Sequence, residues 1–354
     1  MRVLVNEPHK LVKIDLVDRK ILFMLAQNAH FSYSTISKHV KLSREAVKQR
    51  VVRLQKQKVI LGFQAVIDVS QLDYSTYHIF AQLNNPTTII EENFVKELTN
   101  DSSVNALLKY TGVFDFEISY MMKDINTLNE KLKELSSKDI KKYVVYTLLK
   151  TIVSKSYPKC MYDFSLEIKN VGSDGSFFSN FQKKKTPAKF DEIDYKLLTI
   201  IADDARINMV ELARKLDVSV DTAIYRVKKL ISAKVIMDFR PIINYAAFGY
   251  SVYCLFFKFR NFTKEKESAF NLYLKENENI LWSANCLGDF NNISYLLAKN
   301  TFQFHDVLHE IRGKFHDILD SFDYLLSFAE YKYTYFPEGV RINRAMKYKN
   351  YDKK

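Results

Sequence analysis

Val17, Ile21, Leu22 and Leu25 recur at helical spacing and predict a first helix. Asp15 suits its N-cap, and Asp18 falls in the first turn, where negative charge complements the helix dipole. Asn28-Ala29-His30 reads as the exit. Ser32 caps a second short helix that turns Ile36 and Val40 inward. Lys41-Leu42 is a tight turn, and Ser43 caps a third helix with Val47, Val51 and Leu54 on one face. The period then falls from 3.6 to 2. Val59-Ile60 and Phe63–Ile67 predict the strands of a small wing, and Tyr77–Leu83 alternates as a further strand. A helix near 89–98, strands at 105–111 and 114–121 joined through Gly112, a helix at 127–135 and a β-rich run at 143–154 complete a βαββαβ order.

The same pattern returns 176 residues further on, as the pair Ser43 and Ser219 shows. Ser219–Ile236 repeats Ser43–Ile60, with Arg50/Arg226, Leu54/Leu230 and the Val-Ile pairs 59–60/235–236 in register. Asp191 to Asp194 open another first helix, with Leu197, Leu198 and Ile201 inward. Asn208 and Glu211 resemble a capping box, and Leu212 and Leu216 match Ile36 and Val40. A second wing, a strand at 252–259, a helix at 264–276, strands flanking Gly288, a helix at 302–314 and a strand at 324–335 follow. Between the copies, Gly172 to Ser176 and Lys183-Lys184-Lys185-Thr186-Pro187 read as a linker, with Phe177, Phe178 and Phe181 as candidates for docking on a neighbouring surface. Three short helices with a tight turn before the last make the helix-turn-helix plan, here present twice.

Charge sharpens this picture. The chain of 354 residues has a formal net charge of +12, which points to a polyanionic partner. From Ser37 to Lys58 eight basic residues face Glu45 alone, and from Ala213 to Lys234 six face Asp217 and Asp221. A nearly acid-free helix favours a phosphate-tracking surface over a plain solvated one. Cys160, Cys254 and Cys286 are isolated, which fits a reducing cytoplasm and argues against a zinc site or a disulfide scaffold. The start is too charged for a signal peptide, and no apolar run reaches membrane-spanning length. His305 and His309 have ligand spacing on one helix but no partner ligands, so no metal and no cofactor are expected.

With those residues in place, each half resembles the Lrp/AsnC (feast/famine) family of transcriptional regulators. Asp15-x-x-Asp18-x-x-Ile21-Leu22, Leu42-Ser43, Arg50-Val51-x-x-Leu54, Val59-Ile60-x-Gly62-Phe63 and Gly112-Val113-Phe114-Asp115-Phe116 bear the likeness in the first copy. Asp191-x-x-Asp194, Val218-Ser219, Arg226-Val227-x-x-Leu230 and Val235-Ile236 bear it in the second. The resemblance implies an α+β chain in which a winged helix-turn-helix domain and a ferredoxin-like (βαββαβ) regulatory domain occur twice. The expected division is 1–68 and 69–162 for the first pair, 163–190 for the linker, 191–245 and 246–338 for the second pair, and 339–354 for a basic tail. It implies double-stranded DNA as partner, a cytoplasmic location, an amino-acid-like effector, and pairing through the ferredoxin-like sheets, either as an internal pseudo-dimer or as a homo-oligomer. Lys58 and Lys234 stand where the family has Gly, at a cost on the order of 1 kcal/mol.

The candidate DNA-reading residues are Ser43, Arg44, Glu45, Lys48, Gln49, Arg53 and Lys56 in the first copy and Asp221, Thr222, Tyr225, Lys228 and Lys229 in the second. Arg and Lys suit guanine O6/N7, Gln suits adenine, and a carboxylate accepts from cytosine N4. Arg50 and Arg226, among the inward positions, are expected to pair with Asp18 and Asp194. Gly112 with Asp115 and Gly288 with Asn291 are the candidate effector loops, the second having lost the acid. Two other readings compete: an architectural DNA-binding protein, and a fused siroheme-decarboxylase-like enzyme. The latter family has a His-Asn-Tyr-x-Arg run that neither 104–109 nor 280–285 matches.

Overall fold

A computed structural model describes residues 4–5, 11–162, 190–261 and 263–340. The expected linker with Phe177, Phe178 and Phe181, and the basic residues beyond 340, lie outside the described residues.

Elements follow in chain order: β1 (Leu4–Val5), α1 (Leu16–Gln27), α2 (Tyr33–Val40), α3 (Arg44–Lys56), β2 (Ile60–Ile67), β3 (Ser75–Leu83), α4 (Thr88–Asn100), β4 (Val104–Thr111), β5 (Phe116–Met122), α5 (Ile125–Ser136) and β6 (Ile140–Ser154). The second copy gives α6 (Glu192–Asp203), α7 (Met209–Leu216), α8 (Val220–Ser232), β7 (Ile236–Ile243), β8 (Ser251–Phe259), α9 (Lys264–Glu276), β9 (Ile280–Leu287), β10 (Asn292–Ala298), α10 (Thr301–Lys314) and β11 (Leu319–Tyr333). Two tandem modules therefore follow one another, each a helix-turn-helix and then strands and helices in βαββαβ order. Packing regroups the described residues into two compact units: 13–74 with 190–244 and 334–340, and 4–5 and 11–12 with 75–162, 245–261 and 263–333. Each unit draws on both copies.

In the helical unit the six helices start on side-chain caps. Asp15 and Asp194's counterpart Asp18 form a reciprocal capping box at α1, and Asp191 with Asp194 repeats it at α6. At α7 the box expected from Asn208 and Glu211 is one-sided: the Asn208 side chain accepts from the Glu211 N–H. The expected wings are corrected. Residues 60–67 and 236–243 are not hairpins; each is one continuous strand, and β2 pairs antiparallel with β7. Reciprocal backbone bonds tie the exchange, Asp68 N to Val235 O at 2.8 Å and Asn244 N to Val59 O at 3.0 Å. Each first helix is fastened to the other copy's strand in the same way, Ala29 N to Phe239 O and Ala205 N to Phe63 O.

In the other unit the strands run in the order β1-β11-β4-β5-β3-β6-β9-β10-β8, and an additional pairing of β11 with β8 closes the sheet on itself. β6 and β11 have 15 residues each, well beyond the usual 5–6. Their length lets each serve both copies: β6 pairs with β3 and with β9, and β11 with β8 and with β4. Alternation along a strand then feeds two cores. Tyr77, Ile79, Ala81 and Leu83 pack under α4 and α5, while Phe80 joins Tyr110, Tyr146, Cys254, Phe256 and Leu325 in an inner cluster built from both copies. Both faces being covered, all seven residues of β5 are buried.

Candidate nucleic-acid interface

The geometry of α2, its turn and α3 is set locally. The Ser32 side chain caps α2, and the Ser43 hydroxyl accepts from Ala46 N at 3.1 Å to start α3. Lys41 between them takes left-handed backbone angles, φ 55, and Leu42 N bonds Ser37 O, the closing bond of a Schellman turn. Asp217, with φ 58, and the bond from Val218 N to Ala213 O repeat this before α8. Val47, Val51 and Leu54 bury the inner face of α3, and Ala223, Val227 and Leu230 that of α8.

A carboxylate–guanidinium lattice locks α3 onto α1. Arg50 Nη1 donates to Asp15 at 2.6 Å and to the buried Asp18 at 2.8 Å. Arg226 repeats this with Asp191 at 2.7 Å and Asp194 at 2.8 Å. Burial, the largest single influence, pushes the Asp15 and Asp191 carboxyls up, but the arginine bonds and charge together with the capping-box N–H bonds outweigh it and hold both below the usual carboxylate range. Asp18 also takes a bond from Arg53, and Asp194 one from Lys229 at 2.7 Å. Arg53 and Lys229, expected on the reading face, are thus engaged by the buried acid of the first helix. Side chains three apart on a helix share a face, so both basic residues reach one carboxylate.

Arg44, Glu45, Lys48, Gln49 and Lys56 are exposed on α3, with Lys48 Nζ 3.9 Å from Glu45. Ser43 is exposed, its hydroxyl engaged by the cap. On α8, Asp221 and Tyr225 are exposed, and Thr222, Lys228 and Lys229 are half-buried. Val220 and Ile224 accompany them on the surface; the repeat offset alone places these apolar residues where α3 has Arg44 and Lys48.

The candidate effector residues have backbone tasks. Asp115 accepts from Leu83 N at 2.8 Å, and Asn291 accepts from Phe259 N at 2.9 Å. The amide oxygen makes the bond the carboxylate makes, so the change of charge leaves the loop's geometry intact. A Cβ on Gly112 would stand 2.6 Å from Leu325 Cδ2, and one on Gly288 would stand 2.4 Å from the Tyr146 ring, so both glycines permit close approach of the other copy's last strand.

Sequence reasoning missed a buried polar cluster. Glu117, with no solvent exposure, meets His78 Nδ1 at 2.5 Å and accepts from the hydroxyls of Tyr110 at 2.5 Å and Tyr295 at 2.6 Å. Trp282 stacks on both His78 and Tyr295. The available signal was a carboxylate inside the otherwise uncharged run Phe116–Met122.

Two helix-turn-helix units on one chain, the third helix of the first with an exposed basic face, define a helix-turn-helix DNA-binding regulator. The profile of the AsnC-type helix-turn-helix domain matches residues 14–55, and that of the winged helix-turn-helix DNA-binding domain matches 190–237. An HTH-type transcriptional regulator of Pyrococcus furiosus is 32% identical over 123 residues, 34% of this chain and 79% of that protein. The HTH-type transcriptional regulator Ptr1 of Methanocaldococcus jannaschii is 32% identical over 122 residues, 34% of this chain and 80% of that protein. The chain belongs to the Lrp/AsnC family, as a tandem duplication. These relatives are transcriptional regulators rather than enzymes. The crystal structure of the siroheme decarboxylase NirDL aligns over 92% of this chain and 96% of its own, with TM-score 0.60 and 12% identity, a likeness of fold alone. Among the described residues no group of three or more His, Cys, Asp or Glu converges as a metal site, and no helix is long and apolar enough to cross a membrane.

Proposed function

We propose that this regulator binds double-stranded DNA sequence-specifically through two unequal recognition helices, α3 and α8, and so prefers an asymmetric site. The observation behind this is that the two helices share caps, buried anchors and the carboxylate lattice but differ on their outer faces, Arg44, Lys48 and Gln49 against Val220, Ile224 and Tyr225. Arg44 and Lys48 suit guanine or phosphate, Gln49 adenine, Glu45 cytosine N4, and Ser43 and Lys56 the backbone. In the second copy Asp221, Thr222 and Tyr225 are the base-facing set, and Lys228 a phosphate contact. Arg53 and Lys229 act first as ion-pair partners of Asp18 and Asp194 and add positive potential at the groove.

The two βαββαβ segments serve, on this reading, as ferredoxin-like regulatory and assembly domains that pair within the chain, with boundaries near 69–162 and 246–338. An amino-acid-like effector near Gly112–Asp115 and Gly288–Asn291 belongs to the same proposal; it would have to use groups other than the side-chain oxygens already bonded to Leu83 N and Phe259 N. Selection of bound duplexes from a random pool, with the mass of the free protein measured in parallel, tests the proposal. Enrichment of one asymmetric sequence by a monomeric chain is the expected result. Perfect palindromes from a monomer would overturn it, and equal binding of all duplexes would replace it with the architectural reading.

A further inference from the structure

From the outer face of α8 we infer that the second reading head recognises the 5-methyl groups of a thymine-rich half-site. The inference rests on the proposal that α8 enters the major groove. Val220 is 37% exposed and Tyr225 66%, and Ile224 between them is half-buried. Val220 and Ile224 lie four apart, one turn above the other, and Tyr225 flanks them, so they form one apolar patch at the N-terminal end of the helix. That end of a recognition helix is the part that meets base edges.

The patch is not core surface left bare by chance. Ala223, Val227 and Leu230 fill the inner face. At the same places α3 puts Arg44, Lys48 and Gln49, all exposed. The scaffold is therefore kept while hydrogen-bonding groups are exchanged for methyl and ring surface. In the major groove the thymine methyl is the apolar feature of the base edges, and apolar side chains are its complement. Arg214 and Lys215 at the end of α7 are exposed, and Lys228 continues the line of Val220 and Ile224. Asp217 and Asp221 are exposed beside Val220, and Lys215 pairs with Glu211 at 3.2 Å, so the surround is mixed in charge, and it is the apolar centre at the base-facing end of the helix that suits methyl groups on the groove floor.

Replacing thymine by deoxyuridine removes that methyl and nothing else. With the full-length protein and the duplex it selects, uracil in one half-site should weaken binding about fourfold for each methyl buried. Uracil in the other half should change affinity little. In Ile224→Ala and in Tyr225→Ala, each checked for an unchanged unfolding midpoint, the uracil penalty in the sensitive half should shrink or vanish. Uracil neutral in both halves, or a penalty undiminished in both variants, would overturn the inference while leaving sequence-specific binding standing. A chain with no sequence preference would overturn both. Affinity for DNA unaffected by either variant, with loss of binding to a protein partner instead, would assign the patch to that partner and overturn it likewise.

Discussion

Lys58 and Lys234 close α3 and α8 with left-handed backbone, φ 55 and φ 58. Val59 N reaches Leu54 O, and Val235 N reaches Leu230 O, both at 2.9 Å, so each lysine is the αL residue of a Schellman turn. A side chain in that region costs roughly 1 kcal/mol that glycine does not incur. Lys58→Gly and Lys234→Gly should each raise the free energy of unfolding by about 0.5–1 kcal/mol, read from urea titrations. A fall in stability for both would show that the lysine side chains make contacts worth more than the strain. The same positions show how local chemistry speaks in a sequence: the departure from glycine is visible, and so is the conformation it must adopt. Asp115 and Asn291 make the converse point. Their difference in charge suggests a difference in ligand, yet both oxygens bond the backbone N–H of the last residue of a strand, Leu83 of β3 and Phe259 of β8.

At the scale of elements, the helices and their inner faces were legible because their signals are caps and a 3.6-residue period, which involve near neighbours. The wings were not. β2 and β7 are apolar enough for strands, but the partner of each lies in the other copy, and no short-range pattern records a partner that far away. The second partner of Arg53 was hidden for a related reason: its spacing places it on the exposed face, as it is, while the carboxylate it also bonds stands on another helix. The exchange leaves a usable asymmetry. His30 packs edge-on against Phe239 at 4.3 Å, and its counterpart Arg206 lies over Phe63 at 5.0 Å. Burial, then the charge of Arg206, lowers the His30 pKa to about 4. The folded chain thus favours neutral His30, so its stabilisation is complete above the ordinary value of about 6.5 and is lost as pH falls toward 4. That interval corresponds to about 3 kcal/mol. His30→Leu should flatten the stability profile between pH 6.5 and 4, a window above the range in which Asp15, Asp101 and Asp191, held low by their partners, take up protons. An unaltered profile in the variant would show that another group governs the acid limb.

For the whole molecule, the deciding question is what makes unlike copies pair. Glu117, His78 and Tyr110 come from the first copy, and Tyr295 and Trp282 from the second. At the repeat-equivalent positions the second copy has Ile293, Cys254 and Cys286, and the first has Ser119 and Ala106. Two first copies together would set Ser119 in place of the Tyr295 donor and Ala106 in place of the Trp282 ring. Two second copies would face each Tyr295 hydroxyl with Ile293. Neither arrangement satisfies the buried groups that the mixed pair satisfies, and a buried donor or acceptor without a partner costs about 1–3 kcal/mol. Burial, then the Glu117 charge, pushes the Tyr110 and Tyr295 phenols well above their usual range, so both remain donors to the carboxylate. Tyr295→Phe should therefore cost about 1.5–3 kcal/mol, the value of a hydrogen bond to a charged group. The Glu117→Leu variant should cost more, because it strands His78 and two tyrosine hydroxyls. In the double variant the two losses should not add: with Glu117 gone, removing the Tyr295 hydroxyl should restore stability. Urea unfolding of the wild type, both single variants and the double variant reads this coupling directly. Additive losses would mean that the cluster fills space without joining the copies, and the pairing of two unlike copies would then need another cause.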